Sequence, residues 1–372
     1  MFFKIKKNVF YNSLSIVSRA ISSASPLPAF SGIKIEVNPE SILLTGSDGD
    51  ISIQHLIEKN EENSLEVSDI GSIVIESRYI LEIVRKIDSE FLEIEILDGA
   101  QTRISGDNSE FRINGMKATE YPNLDFTKPK DVLKMPADLL KQIIAQTTFA
   151  TSSSETKPVL TGVNFNCINN TLECSATDSY RLARKNVILE NDLTFNVTIP
   201  ARNLMEVSKS LEEGKDVDIF VSDKKIMFQI ENTLIQSRLI DGVYPNTSRL
   251  IPSEFEYELQ IDLAEILGAI DRASFIKSDG VSVIKLSLDE NGCVLSSRSQ
   301  EVGSSTEELP HAKFSGEHLD ISFNGRYVFD ALKALSKGNI IISFCGEMKP
   351  FVLKAENDDS TIQLVLPVRT YA

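Results

Sequence analysis

One helical segment occurs three times in the chain: Ser77-Arg-Tyr-Ile-Leu-Glu-Ile-Val-Arg-Lys-Ile87, Ala201-Arg-Asn-Leu-Met-Glu-Val-Ser-Lys-Ser-Leu211 and Gly325-Arg-Tyr-Val-Phe-Asp-Ala-Leu-Lys-Ala-Leu335. The three align without a gap, and each begins 124 residues after the one before it in a chain of 372 residues. In each segment an acidic residue lies four positions after the arginine, and a basic residue lies three positions after that acid. Apolar residues occur between them at helical spacing. The spacing predicts three homologous domains, at 1–124, 125–252 and 253–372.

A second helix is expected to precede each of these segments. Asp138 and Asp262 are again 124 residues apart, and each is predicted to be the N-cap of such a helix. The first copy of this helix falls at 8–17. Alternating segments between the paired helices, such as 32–37, predict strands. Each repeat is therefore predicted to be α+β, with two helices packed on a mostly antiparallel sheet.

The composition excludes several classes of protein. Hydrophobic residues make up 42% of the chain, but no apolar run approaches the 18 or so residues of a membrane span, and polar residues break any signal peptide. We therefore expect a cytoplasmic protein with no membrane partner. The four cysteines and three histidines lack metal-ligand spacing, and no phosphate-binding loop is present, so we expect no metal and no cofactor. The net charge of −16 argues, by itself, against nucleic-acid binding.

The stretch Ala176-Thr-Asp-Ser-Tyr-Arg-Leu-Ala183 concentrates polar and charged groups between apolar runs. It aligns with Gly46-Ser-Asp-Gly-Asp-Ile-Ser of the first repeat, so the shared Asp178 is predicted to cap a turn between strands. Tyr180 and Arg181 have no counterpart there, which favours recognition. Two alternatives remain: a plain surface loop, or an enzyme that uses Asp178, Tyr180 and Arg184.

The repeated arginines are unfavourable for their own helices, because a cation in the first turn opposes the helix dipole. Either they lie on solvated helix faces, or each repeat has a basic face that contacts a polyanion. The acidic excess lies in strand and loop segments, such as Glu58-Lys-Asn-Glu-Glu62. A molecule that is acidic outside and basic inside would reconcile the net charge with DNA binding.

Five stretches, in order, resemble the bacterial DNA polymerase III beta subunits, the replication sliding clamps. They are Leu27-Pro-Ala-Phe-Ser-Gly32, Lys157-Pro-Val-Leu-Thr-Gly162, Ala176-Thr-Asp-Ser-Tyr-Arg-Leu-Ala183, Gly242-Val-Tyr-Pro-Asn-Thr-Ser-Arg-Leu-Ile-Pro252 and Leu364-Val-Leu-Pro-Val-Arg369. The resemblance implies a head-to-tail homodimeric ring of six domains with helices lining the hole. Simple geometry agrees: a 124-residue domain is a ball about 35 Å across, so three leave a hole of about 5 Å and six leave about 35 Å.

The resemblance also implies the partners and the absence of catalysis. Such a ring encircles duplex DNA without reading its sequence, at replication forks on the nucleoid. Short linear peptides of the replicative DNA polymerase alpha subunit, clamp-loader subunits, repair polymerases and mismatch-repair proteins bind a pocket between the second and third domains. The main rival from another class is the enzyme that uses Asp178, Tyr180 and Arg184, and a third possibility is an acidic three-repeat scaffold that binds only proteins.

Carried over residue by residue, the resemblance predicts three sets of site residues. The peptide pocket would comprise Leu160, Thr177, Ser179, Tyr180, Arg181, Leu182, Pro245, Arg249, Leu250, Asn324, Tyr327, Pro350, Leu364, Leu366 and Val368. For the DNA-facing set, Arg78 and Arg202 match basic positions of the family, with Arg19 replacing a basic residue that is absent near Ala24. The repeat adds Arg326, and Lys141 and Lys157 are included because they lie on or beside the paired helices. The dimer contact would comprise Phe111 and Ile113 against Phe275 and Ile276, although all four could instead be core residues. Tyr180 stands where many members of the family have histidine, which affects peptide preference.

Overall fold

The computed structural model describes residues 1–22, 25, 27–190, 192–278 and 280–369. Ala24, the position near which the family has a basic residue, lies outside these ranges. The helices of the described ranges are α1 (Lys7–Ser18), α2 (Ser77–Lys86), α3 (Ala137–Thr147), α4 (Ala201–Ser208), α5 (Leu263–Ala273) and α6 (Gly325–Lys333). Short 3-10 helices lie at Pro28–Ser31, Ala118–Glu120, Thr148–Ala150, Pro158–Thr161 and Ser248–Leu250. Each predicted repeat thus contains two helices, and none of the described helices is long and apolar enough to cross a membrane.

Periodic apolar residues explain where these helices form. In α2 the buried Ile80, Ile83 and Val84 lie on one face, while Glu82 and Arg85 remain exposed on the other. The third copy repeats this pattern in α6, which buries Val328, Ala331 and Leu332. The helical segments of the first and third repeats are therefore confirmed as amphipathic helices.

The predicted N-caps are confirmed for one helix and wrong for the other. Asp262 caps α5, accepting hydrogen bonds from the backbone N–H of Ala264 at 2.9 Å and Glu265 at 3.3 Å. Asp138 is instead the second residue of α3, and its carboxylate accepts a hydrogen bond from Gly214 N at 3.1 Å. The two helices start 126 residues apart rather than 124, so the equal spacing of the aspartates was coincidental.

Antiparallel strands make up the rest of each repeat. The first copy contains β1 (Phe2–Lys6), β2 (Gly32–Asn38), β3 (Ser41–Ser47), β4 (Ile51–Glu58), β5 (Glu66–Asp69), β6 (Gly71–Glu76), β7 (Phe91–Asp98), β8 (Gln101–Gly106), β9 (Ser109–Asn114) and β10 (Met116–Lys117). The second contains β11 (Leu133–Pro136), β12 (Gly162–Ile168), β13 (Thr171–Thr177), β14 (Arg181–Ile188), β15 (Phe195–Pro200), β16 (Asp216–Val221), β17 (Lys225–Ile230) and β18 (Thr233–Arg238). The third contains β19 (Tyr257–Asp262), β20 (Val283–Asp289), β21 (Gly292–Ser299), β22 (Gly303–Glu308), β23 (Lys313–Ser315), β24 (Leu319–Asn324), β25 (Asn339–Phe344), β26 (Phe351–Ala355) and β27 (Asp358–Val365).

Two compact units divide the chain, Met1–Leu140 with Asn203–Leu239 and Lys141–Arg202 with Ile240–Ala372. In the first unit, the last strand of the second copy, β18, pairs with β4 of the first copy. The result is a nine-stranded sheet in the order β10-β6-β2-β3-β4-β18-β17-β16-β11. A five-stranded sheet, β5-β1-β7-β8-β9, ends at the edge strand β9.

The second unit repeats this arrangement one copy further along the chain. Its last strand, β27, pairs with β14 of the second copy, within the sheet β15-β12-β13-β14-β27-β26-β25-β19-β23. A four-stranded sheet, β22-β21-β20-β24, ends at the edge strand β22. Both sheets joining two copies therefore connect the strand after the central turn of one copy to the last strand of the next.

One position of the first copy requires glycine because the backbone of a helix approaches it closely. A Cβ on Gly46 in β3 would lie 2.3 Å from the carbonyl oxygen of Val17 in α1. Because that contact involves backbone, it could not be relieved by a rotamer change. Gly46 therefore lets α1 lie directly on the sheet.

Candidate peptide-binding pocket and basic positions

Asp178 organises the turn between β13 and β14. Its Oδ1 accepts hydrogen bonds from Tyr180 N at 2.9 Å and Arg181 N at 3.0 Å. In the first copy, Asp48 Oδ1 accepts the same two bonds, from Asp50 N and Ile51 N, each at 3.0 Å. The predicted turn-capping role of the shared aspartate is confirmed.

Thr177 and Ser179 complete this turn. Thr177 Oγ1 donates to Arg181 O at 2.6 Å and accepts from Ser179 N at 3.1 Å. Tyr244, from the Tyr-Pro-Asn motif, accepts a hydrogen bond from Thr177 N through its hydroxyl at 3.0 Å. Ser179 adopts a positive φ of 80°, where the first copy has Gly49 at 97°. A non-glycine residue in this region costs on the order of 1 kcal/mol, and such strain is typical of functional sites.

Arg181 points into the protein. Its Nε lies 3.0 Å from Asp178 Oδ2 and its Nη1 lies 3.0 Å from Asp330 Oδ2, and the three side chains are only 12%, 13% and 14% exposed. The guanidinium also lies over the rings of Tyr327, at 4.5 Å, and Phe149, at 5.4 Å. The N–H donors of Arg181 therefore hold the turn against α6. Arg249, in contrast, is exposed to solvent.

Tyr180 and Tyr327 form an aromatic wall. Their ring centroids are 6.4 Å apart with an interplanar angle of 29°, and Tyr180 is 61% exposed. The wall borders a cleft of about 610 Å³ that also contains Leu160. The remaining lining residues are Thr151, Ser152, Ser153, Ser154, Thr156, Lys157, Asp178, Ser179 and Arg181. This cleft combines an aromatic surface with many hydroxyl groups.

A compact apolar cluster lies on neighbouring strands. Leu182 and Leu364 are directly opposed across β14 and β27, and both pack with Val352 of β26. Ile251 and Leu366 pack against this group. Leu366 N donates to Tyr180 O at 2.9 Å, so this apolar cluster and the aromatic wall meet at the ends of β14 and β27. Together they form the candidate pocket.

Other predicted pocket residues lie at less enclosed positions. Pro245, Arg249 and Leu250 are exposed, and Pro350 and Val368 are half-buried. Asn324 is the N-cap of α6, with its side chain accepting a hydrogen bond from Arg326 N at 3.0 Å. Sequence reasoning missed several contributors, among them Phe149, Ile251, Asp330 and Val352. Val352 directly opposes Leu364 across β26 and β27, a pairing that only the structure reveals.

Most of the predicted DNA-facing cations are exposed. Lys141, Lys157 and Arg202 are exposed, as are Arg78 and Arg326, which contact nearby acids. Arg78 Nε lies 2.6 Å from Glu76 Oε1, and Arg326 Nε lies 3.0 Å from Asp330 Oδ1. Both arginines remain exposed to solvent within these pairs, at 71% and 74%, so a phosphate could reach and compete for them. Arg19 differs, because its guanidinium donates to Ile16 O and to Ser210 Oγ, across the contact between the first and second copies.

The predicted dimer residues include two exposed phenylalanines. Phe275 is 79% exposed and Phe111 is 38% exposed, whereas Ile113 and Ile276 are half-buried. The alternative that all four are core residues is therefore wrong for the two phenylalanines. Aromatic residues are enriched in protein–protein interfaces relative to the rest of the surface.

The groups required by the enzyme alternative already serve other roles. Both carboxylate oxygens of Asp178 are bonded within the turn and to Arg181, and Arg184 lies 3.5 Å from Glu173. The four cysteines are free thiols in buried positions, and burial raises the pKa of each. Within the described ranges, no cluster of His, Cys, Asp and Glu could hold a metal ion.

Known proteins resemble this chain over its whole length. Family models for the DNA polymerase III beta subunit match it in all three parts: the N-terminal domain at residues 1–125, the central domain at 134–246 and the C-terminal domain at 248–369. The beta sliding clamp of Bacillus subtilis (strain 168) is 41% identical over 379 residues, covering 100% of both chains.

Solved structures agree. The crystal structure of the Bacillus subtilis DNA polymerase sliding clamp superposes with a TM-score of 0.96 at 40% identity, covering 100% of both chains. A sliding clamp from Bartonella birtlesii bound to griselimycin superposes with a TM-score of 0.92 at 25% identity, again covering 100% of both. With the threefold repeat, the strand pairing between copies and the copy-specific pocket, these matches lead to one conclusion: the chain belongs to the family of DNA polymerase III beta subunits, the bacterial sliding clamps.

Proposed function

We propose that two copies of this sliding clamp join head to tail into a ring around duplex DNA. In our proposal the pocket then tethers short peptides of the replicative polymerase alpha subunit, clamp-loader subunits, repair polymerases and mismatch-repair proteins. The observation that carries the ring is the pairing rule between successive copies. β4 pairs with β18 and β14 pairs with β27. In contrast, β22, the strand after the central turn of the third copy, and β9, the counterpart of β18 in the first copy, are both sheet edges.

The rule gives a register for the missing junction. Ser52 opposes Gln236 at the first junction and Leu182 opposes Leu364 at the second. Strand pairing within each copy makes Ser304 the counterpart of Ser52 and Arg112 the counterpart of Gln236. Ser304 of one chain should therefore oppose Arg112 of a second chain. A head-to-tail contact of this kind closes into a ring when its rotation permits.

The same rule accounts for Phe275. Phe149 follows α3 by two residues, as Phe275 follows α5, and it packs against the buried cluster of the third copy. Arg19, at the corresponding place after α1, reaches Ser210 of the second copy. In our proposal Phe275 fills the same role against the first domain of a second chain. Phe111 then lies where the first junction has Ile235, which is fully buried.

Sliding follows from weak, sequence-independent contacts. Arg78 and Arg326 remain exposed in their contacts with acids, so phosphates can compete for them without any reading of bases. The net charge of −16 favours release rather than tight adhesion. The ring would hold its partners near the primer end through effective concentration.

The pocket suits an extended peptide that ends in Leu-Phe. Its apolar cluster can bury aliphatic anchors, and its exposed Tyr180 offers an aromatic face. The griselimycin complex of the Bartonella birtlesii clamp supports a ligand site in this family. We further propose domain limits at 1–124, 125–252 and 253–372, a non-catalytic role, and a cytoplasmic location at replication forks on the nucleoid.

Topological retention tests the proposal. The chain is loaded onto nicked circular DNA by its clamp loader and ATP, and bound protein is separated by gel filtration before and after a single restriction cut. We expect retention on the circle and loss after linearisation, because a linked ring slides off free ends. Equal retention on both forms, or on neither, would overturn the ring. An acidic scaffold that binds only proteins would show the second outcome.

A further inference from the structure

Asp330 is shared between an arginine of the pocket and an arginine of the DNA-facing set. Its Oδ2 lies 3.0 Å from Arg181 Nη1. The Arg181 guanidinium in turn lies against the face of the Tyr327 ring. Both oxygens of Asp330 also contact Arg326 Nε, at 3.0 and 3.1 Å. Arg326 is 74% exposed at the start of α6, whereas Asp330 is 14% exposed. One carboxylate thus links an exposed cation to a buried one.

The other copies use the corresponding acid differently. Glu82 pairs with Arg85 and Lys86 of its own helix, and Glu206 pairs with Lys209. In the third copy the corresponding base, Lys333, lies instead over the Phe329 ring at 5.4 Å. Asp330 is therefore left to two arginines.

The position of Arg181 is also specific to one copy. Where the second copy has Arg181, the first copy has Ile51, so the turn of the first copy cannot make the same link. The carboxylate link thus occurs at the copy that carries the candidate pocket.

We propose that Asp330 is a positioning residue that couples DNA contact at Arg326 to peptide binding in the pocket, an inference that rests on the proposed function of both sites. A DNA phosphate offers the exposed Arg326 guanidinium a strong bidentate partner that competes with Asp330 for it. Asp330 then acts on Arg181 alone and holds the guanidinium more firmly under Tyr327. The aromatic wall is better ordered before the peptide arrives, which lowers the cost of binding. Because such coupling is reciprocal, bound peptide strengthens the DNA contact equally.

Arg326→Ala tests the coupling because it mimics the withdrawn arginine. The probe is a fluorescein-labelled pentapeptide ending in Leu-Phe, measured by anisotropy with the assembled protein. We expect Arg326→Ala to bind the probe about fivefold more tightly than the wild type, at the lower end of typical couplings. Lys337→Ala removes the same charge just beyond the other end of α6, on an exposed residue, and should leave the affinity at the wild-type value.

A double-mutant cycle and DNA loading complete the test. In an Asp330→Asn background, Arg326→Ala should no longer change the affinity, because the shared carboxylate is gone. The wild type loaded on nicked circular DNA, after removal of the loader, should gain about the same fivefold, whereas Arg326→Ala should gain nothing further. The coupling alone would be overturned if Arg326→Ala bound the peptide with the same affinity as Lys337→Ala. It would also be overturned if Arg326→Ala still changed the peptide affinity in the Asp330→Asn background. A wild type that fails to bind the peptide overturns the pocket and, with it, the coupling. If Asp330→Asn fails to fold, the peptide affinities of Arg326→Ala and Lys337→Ala can still be compared, and that comparison decides whether the coupling exists.

Discussion

At the residue scale, the buried Tyr121 and the half-buried Tyr244 differ in what their hydroxyls contact. Tyr244 accepts a hydrogen bond from Thr177 N, whereas the buried Tyr121 hydroxyl has no hydrogen-bond partner in the structure. Tyr244→Phe leaves a backbone N–H without its acceptor, so we expect a loss of about 1–3 kcal/mol in unfolding free energy. Tyr121→Phe is the matched control and should be neutral or slightly stabilising. Denaturant unfolding of both variants measures this, and equal losses would contradict it.

Burial also predicts alkaline behaviour. It raises the pKa of Tyr121 and Tyr244 above their ordinary 10.0. A raised pKa in the folded state means stability that is fully present below pH 10 and is lost as pH rises further. We expect these two phenols, among eight tyrosines, to ionise late in the ultraviolet absorbance titration. Each Tyr→Phe variant should remove part of that late phase, and an unchanged profile would count against their burial.

Two pocket residues should dominate peptide affinity. Tyr180→Ala removes an exposed aromatic surface and Leu366→Ala thins the apolar cluster, so each should weaken the Leu-Phe probe about tenfold or more. Tyr79→Ala removes another exposed ring, from the first copy, and should leave the probe affinity unchanged. Light scattering should show that all three variants keep the dimer. Unchanged probe affinity in the pocket variants would disprove the pocket assignment.

At the element scale, the two Asp-bearing helices should respond differently to the same substitution. Asp262→Ala removes the N-cap of α5 and should cost about 1 kcal/mol, seen as faster hydrogen exchange in its first turn. Asp138→Ala removes one exposed contact to Gly214 and only a weak dipole interaction, so we expect a smaller effect on α3. Equal acceleration in both helices would show that the cap is unimportant.

Repetition made the elements predictable, because residues kept in each copy serve the fold. Asp178 was identified as a turn residue from Asp48 alone, and the amphipathic pattern located α2 and α6. Contacts between copies gave no such signal. Asp330 and Arg181 are 149 residues apart, and nothing local in either segment indicates the partner. The misassigned cap at Asp138 shows the opposite limit, since two extra residues between the starts of α3 and α5 shift the register of an otherwise exact repeat.

At the scale of the whole molecule, the pairing rule predicts a specific cross-link. Arg112→Cys and Ser304→Cys in one chain should form disulfides between two chains under mild oxidation, because directly opposed residues bring their Cβ atoms to about 5 Å. The native thiols should react slowly, since burial raises the pKa of each. Glu110→Cys with Ser304→Cys shifts the register by two residues and should link poorly. Efficient linking of both pairs would contradict the register.

The edge strands β22 and β9 also affect how a subunit behaves before it assembles. An unpaired edge exposes backbone groups that can recruit any other strand, so it is a hazard for aggregation. β22 carries only small polar and acidic residues, Gly303-Ser-Ser-Thr-Glu-Glu308, whereas β9 carries Arg112 between Phe111 and Ile113. Like edges of β22 repel each other through their glutamates, whereas β9, which carries Glu110 as well as Arg112, has no net charge and does not repel β22. The glutamates of β22 thus disfavour pairing between two β22 edges in a newly made subunit. Pairing of β22 with β9 of a second chain remains the favoured way to satisfy both edges.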